Sequence, residues 1–209
     1  MTEPEPKRFK FDLSGGHLAL DFANTVSWRG SEAVERLPDY FELVRWSEQA
    51  GVLPRSRTTE VLVMATRDPK KAASILEKAI RLREAMYAIF AAVANKGEAP
   101  PRDLAALNSF LIQGSSYVRL KEEDGRFVWD WESANRLADA MLWPVAQAAA
   151  DLLVSDQLAK VRICAASDCA WLFLDNTRNH ARRWCDMTTC GNRAKARRHY
   201  RRKVGKGNL

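Results

Sequence analysis

Four cysteines constrain this chain more than any other feature. They stand as Cys164-Ala-Ala-Ser-Asp-Cys169, then fifteen residues, then Cys185-Asp-Met-Thr-Thr-Cys190. No cysteine precedes Cys164 or follows Cys190 in the 209 residues. In a chain this long, cysteines gathered so closely point to a metal or redox site before a disulfide framework. Tetrahedral zinc takes four soft or borderline ligands, and two short loops can each supply a pair. A spacing of four suits a turn whose backbone N–H groups face the thiolates. The intervening stretch suffices for a hairpin that brings the second pair back, with Trp171–Leu174 as one strand, Asp175–Asn179 as the turn and Ala181–Trp184 as the return. Three alternatives stand beside it: four unliganded thiols, a redox dithiol, and a site where His180 or His199 replaces one cysteine. A redox dithiol more typically reads C-x-x-C beside a βαβ unit. The spacing favours one Zn²⁺ held by Cys164, Cys169, Cys185 and Cys190. The role is structural, because four protein ligands leave no open position for water or substrate.

Charge divides the chain at the same place. From Val161 to Leu209 there are twelve Lys/Arg against three Asp/Glu, whereas the first 160 residues hold twenty-one against twenty-three. A nearly neutral body of residues 1–160 thus carries a strongly basic tail of residues 161–209, which points to a polyanion, most often nucleic acid. The longest uncharged stretch, Leu104–Val118, is interrupted by Asn, Gln, Ser and Gly, so no transmembrane helix is expected. The N-terminus is charged and lacks an apolar core, unlike a secretory signal, so a cytoplasmic location is expected.

With 46% hydrophobic residues, the body can build a real core. Residues 1–10 read as an arm, Phe9–Ser14 as a short alternating strand and Gly15-Gly16 as a turn. His17–Val26 reads as helical. Asp39 is placed to cap a helix that runs to Ala50 and stops at Gly51, and a further helix is expected over 56–67. Asp68 and Pro69 open the clearest helix, whose stripe of Ile75, Ala79, Leu82, Met86, Ile89 and Val93 ends before Gly97 and Pro100. A second helix over 102–113 is expected to fold back on it. Residues 116–131 read as a hairpin around Asp124-Gly125 that pairs Leu120 with Trp129, Val118 with Trp131 and Arg119 with Asp130. Its Trp face needs a helix or a partner subunit to lie on. Ser133–Val154 reads as a helix kinked at Pro144.

After Cys190 the chain continues Gly-Asn-Arg-Ala-Lys-Ala-Arg-Arg-His-Tyr-Arg-Arg-Lys203, with no acidic residue. Ala196, Tyr200 and Val204 form a packing side. Arg193, Arg197 and Arg201 form a row of guanidinium groups that Arg198 and Arg202 extend. Such a row can lie along phosphates or enter a major groove. Candidate nucleic-acid contacts are therefore Arg178, Arg182, Arg183, Arg193, Lys195, Arg197, Arg198, Arg201 and Arg202. The plainer reading is that some of these arginines offset the net −2 charge of a zinc tetrathiolate.

At Cys185-Asp-Met-Thr-Thr-Cys-Gly-Asn-Arg193 the sequence resembles the bacterial CGNR zinc-finger family, whose name stands here as Cys190-Gly191-Asn192-Arg193. Phe173-Leu-Asp175, Arg183-Trp-Cys185 and Ala194-Lys195 are similar to that pattern. Gly15-Gly-His-Leu-Ala-Leu-Asp-Phe-Ala-Asn-Thr25 resembles the opening motif of the ABATE domain that precedes this finger. The resemblance implies a stress-related bacterial transcription regulator. It also implies an α+β, mainly α architecture: a helical N-terminal domain with one β-hairpin, then a small treble-clef-like four-Cys finger with a basic C-terminal helix.

Asp21, Asn24 and Thr25 are polar groups in an otherwise apolar helix. They either tie neighbouring segments together or line a pocket for a small-molecule effector. Three functions compete: a DNA-binding regulator whose body senses a ligand or forms a homodimer, an RNA-binding or ribosome-associated protein, and an enzyme with its site in the body. No Ser-His-Asp arrangement, phosphate loop or H-E-x-x-H occurs, and His17 is the only histidine of the body, so a non-enzyme is expected.

Overall fold

The computed structural model describes residues 10–131 and 138–204, with side chains of the last helix described through Tyr200. Its longest helix begins where the sequence asks for it. Asp68 accepts a hydrogen bond from the Lys71 N–H, Pro69 takes the first helical position, and α4 runs over Pro69–Ala94. Ile75, Ala79, Leu82, Met86 and Ile89 are buried along one stripe, joined by Phe90. Around it pack α1 (Leu18–Ala23), α2 (Tyr40–Gln49), α3 (Arg55–Arg67), α5 (Pro101–Ser115) and α6 (Leu142–Leu153). α5 folds back along α4 as expected. α2 starts at Asp39, which accepts from the Glu42 N–H, and stops before Gly51 at φ +74°. The described residues are mainly helical, with three short antiparallel strand pairs.

The first pair, β1 (Val26–Ser27) and β2 (Val34–Glu35), frames a tight excursion containing Trp28, Arg29 and Gly30. The second, β3 (Val118–Glu123) and β4 (Arg126–Trp131), has the expected register, with Leu120 opposite Trp129 and Val118 opposite Trp131. Asp124 and Gly125 both have positive φ, as a type I′ turn requires. The base of this hairpin meets a helix, and its outer residues are exposed. Trp131 approaches Trp143 of α6 at 6.2 Å, and Tyr117 stacks on the same indole at 4.8 Å. The third pair, β5 (Val161–Ile163) and β6 (Leu172–Leu174), flanks the first two cysteines.

Several expectations are corrected. From Lys10 onward the N-terminal segment is not a strand: the Gln49 side-chain amide takes both backbone bonds of Phe11, at 2.9 and 2.6 Å, where a strand partner would sit. α1 ends at Ala23, because Asn24 caps it and the Thr25 hydroxyl turns back to the Phe22 carbonyl. α6 begins only at Leu142, so Pro144 lies in its first turn, where no intrahelical N–H is needed and no kink follows. The partner of Trp171–Leu174 is β5, not Ala181–Trp184. The latter segment is held otherwise, since the Arg182 N–H goes to Asp175 and the Arg183 carbonyl accepts from Ala165. The expected arm over 1–9 and the start of the helix over 133–137 lie outside the described residues.

The basic C-terminal region shares the core of the helical body. Val161, Leu172 and Leu174 are buried in the helical core itself, and Ile163 packs against it. A smaller cluster of the four cysteines, Ala166 and Phe173, with Trp171 and Trp184 at its margin, sits directly behind.

Candidate metal centre and nucleic-acid interface

Cys164 and Cys169 leave β5 and approach β6 on a knuckle in which the Cys164 N–H donates to the Trp171 carbonyl and the Cys169 N–H to the Ala166 carbonyl. Cys185 precedes a wide turn of π type, Met187–Gly191, which carries Cys190 into α7 (Asn192–Val204). Asp186 caps that turn through the Thr189 N–H. The knuckle, the β5–β6 pair that carries it and a helix that starts just after the last ligand make up the treble-clef-like plan.

All four thiols are buried, and their sulfur atoms lie within 4.8 Å of one another. Cys169 Sγ is 3.7 Å from Cys185 Sγ, which is 3.6 Å from Cys190 Sγ. A tetrahedron with metal–sulfur bonds of about 2.3 Å has edges of about 3.8 Å, so the donor set fits one structural zinc. Both histidine alternatives fall away. His180 Nδ1 faces the Asp175 carbonyl at 3.1 Å and His199 is exposed on α7. In the protonated cluster, hydrogen bonds from Cys169 and Cys185 pull the Cys164 thiol down, while the same bonds and burial push Cys169 and Cys185 up. Only a cation at the centre lets all four become thiolates together, and its binding releases protons.

The arginines divide into two groups. Arg193 Nη2 lies 3.2 Å from Cys190 Sγ and 3.5 Å from Asp168, and its guanidinium sits over the Trp28 ring. Arg182 stacks on Phe173 at 4.6 Å, and its guanidinium donates to the carbonyls of Trp184 and Cys185. These two neutralise and brace the metal centre. Arg197 pairs with Asp168 at 2.5 Å and remains partly exposed. Arg178, Arg183, Lys195 and Arg198 are exposed. Arg183, Arg193, Arg197 and Arg198 line one groove of about 540 Å³ between α7 and the knuckle, with Trp184 in its wall. Ala196 is exposed and Tyr200 is 70% exposed, so the described part of the expected packing side of α7 is not packed; the side chain of Val204 lies outside the described residues. The side chains of Arg201 and Arg202 lie outside the described residues.

Among the described residues, Asp21, Asn24 and Thr25 line only a small space, and each is engaged in hydrogen bonds. The space beside them measures about 10 Å³, room for one water at most. Asp21 accepts the Gly15 N–H at 2.8 Å, and burial pushes its carboxyl up to about 7. Asn24 makes a reciprocal pair with Leu172, its Nδ2 donating to the carbonyl at 2.8 Å and its Oδ1 accepting the N–H at 2.9 Å. Thr25 is bonded to Phe22 and lies 3.4 Å from buried Arg83. Asn24 thus stitches the opening motif to the finger, while Asp21 and Thr25 tie segments within the body.

Sequence reasoning missed the rest of that seam. Trp171 Nε1 donates to the Val26 carbonyl at 2.7 Å, and the Tyr87 hydroxyl to the Ala170 carbonyl at 2.9 Å. A Cβ on Gly30 would lie 2.3 Å from the Ser167 carbonyl oxygen, so only glycine allows the body to approach the knuckle this closely. Beneath it, buried Arg83 forks onto Glu35 at 2.6 and 2.7 Å and reaches Glu84, which also pairs with Arg29. A cavity of about 310 Å³ opens in the seam, lined by Lys10, Trp28, Arg36, Trp171 and Arg193 and backed by three of the cysteines.

Residues 16–156 match the ABATE family model, described as "Putative stress-induced transcription regulator", and residues 160–203 match the CGNR zinc finger. No curated protein matches the chain. No described helix is long and apolar enough to cross a membrane. With more than half its length matched by that model, and four thiols closed around one metal position at its C-terminal end, the chain belongs to the ABATE family and carries a CGNR zinc finger.

Proposed function

We propose that this protein is a cytoplasmic bacterial transcription regulator, active in stress response, that grips duplex DNA through the basic surface of its finger. The observation that carries the reading is the groove of about 540 Å³ lined by Arg183, Arg193, Arg197 and Arg198. Two of these also stabilise the finger through Asp168, so zinc would pre-form the phosphate contacts. The reading is of a binding protein rather than an enzyme. It acts as a homodimer, since one small finger binds weakly and two linked fingers multiply affinity. Any small-molecule effector belongs to the seam cavity beside Trp28 and Trp171 rather than to Asp21, Asn24 and Thr25.

The test is binding of full-length zinc-loaded protein to duplex DNA across a salt series. If five or six phosphates are contacted, log K falls against log salt with a slope of roughly −5. Affinity that ignores salt would overturn the reading. RNA is the second reading, favoured by Trp184, a half-buried indole in the groove wall on which an unpaired base could stack. Single-stranded RNA outcompeting duplex DNA would select it.

A further inference from the structure

We infer that the β3–β4 hairpin joins two copies of the chain through the edge of β4 that no described strand pairs, in one register centred on Val128. The inference rests on the two-copy reading above and assigns its interface. The base of the hairpin at Val118, Asp130 and Trp131 is half-buried, and its outer part leaves apolar side chains exposed: Leu120 is 65% exposed, Phe127 74% and Trp129 56%. Two strands alone are marginal in water, and a four-stranded sheet with one apolar face is not.

The hydrogen-bond pattern restricts how a second copy can add. The two-residue turn makes Glu123 and Arg126 the closing hydrogen-bonded pair, and the pattern alternates from there. Arg126, Val128 and Asp130 therefore turn their backbone groups toward β3. Phe127, Trp129 and Trp131 turn theirs outward to the edge. An antiparallel copy must then match outward-turned residues with each other.

Centring the two-fold axis on Val128 meets that rule. Phe127 pairs with Trp129 of the other copy twice, on the apolar face. On the opposite face Val128 meets itself, and Arg126 meets Asp130 twice. Charge and aromatic pairing both favour this register. The edge of β3 offers no equivalent. Its permitted self-pairings are centred on Arg119, Leu120, Lys121 or Glu122, and none combines an apolar pairing on one face with only opposite charges on the other.

The experiment uses full-length zinc-loaded protein and light scattering at micromolar concentration. Wild type should give twice 23.6 kDa. Trp129→Pro removes an outward N–H while leaving the hairpin's own bonds, and should give a single-chain mass with unchanged zinc content. Arg126→Glu and Asp130→Arg should each weaken self-association at least tenfold, and an equimolar mixture of the two should recover the dimer, since only unlike copies then pair opposite charges. Val128→Cys should form a disulfide-linked dimer on mild oxidation and Phe127→Cys should not, because only position 128 meets itself. A single-chain wild type overturns both this inference and the two-copy reading. A dimer that survives Trp129→Pro, a mixture that stays monomeric, or crosslinking that favours Phe127→Cys overturns the interface alone.

Discussion

The guanidinium of Arg193 sits 4.3 Å from the centre of the Trp28 indole, and through that contact the helical body touches the metal centre. Trp28 holds a left-handed backbone, φ +59°, which a bulky residue adopts only when its surroundings impose it. The same Arg193 donates toward Cys190 Sγ and Asp168. One side chain therefore links a zinc ligand, the knuckle and the body.

Zinc removal should accordingly unfold more than the finger. β5 and β6 lie in the helical core, so their loss uncovers Val161, Leu172 and Leu174. A chelator, or Cys169→Ser, should lower the melting temperature of the whole chain in one transition. A loss of even 4 kcal/mol corresponds to roughly 8–16 °C in a chain of this size. Calorimetry with metal analysis checks this: one zinc per chain is expected, and a body transition unmoved by chelation would contradict the shared core.

Asn24 should be the most sensitive polar residue of the opening motif. Asn24→Ala leaves the buried N–H and carbonyl of Leu172 without partners, 148 residues away in sequence. The expected cost is about 2–4 kcal/mol, with zinc bound more weakly. Asn24→Asp keeps the acceptor but sets an oxygen against the Leu172 carbonyl, so it should not rescue. Denaturant unfolding of the zinc-loaded variants measures both.

The basic residues should separate by experiment as they do in space. Arg183→Ala with Arg198→Ala should reduce the salt slope of duplex binding by about 2 and leave the melting temperature near wild type. Arg182→Ala should do the reverse, because its guanidinium braces the carbonyls around Cys185. Salt titrations paired with thermal melts distinguish the two effects.

Asp21 gives the body a pH dependence. Its folded carboxyl is pushed up to about 7 by burial, against about 4 when unfolded. The folded state thus binds an extra proton between those values, and stability falls as pH rises from about 4 to 7. Asp21→Asn keeps an oxygen for the Gly15 N–H and removes the charge. It should raise the melting temperature at pH 8 and flatten the profile between pH 5 and 8, as thermal melts across that range would measure.

What the sequence determined by itself is what short spans encode. The cysteine spacings, the Asp39 and Asp68 caps, the α4 stripe and the Asp124-Gly125 turn each depend on residues within a turn or two, and the structure keeps all of them. Tertiary structure decided the long-range partners. Nothing near Arg193 or Arg197 in sequence announces that Asp168 engages both and Trp28 engages Arg193, so a uniform row of cations divides into a brace at Arg193 and exposed groove residues. Among the polar residues of the opening motif, Asn24 finds its partner only when the fold brings Leu172 beside it. A buried polar group takes whichever partner the fold delivers, and the nearest residues in sequence do not name it.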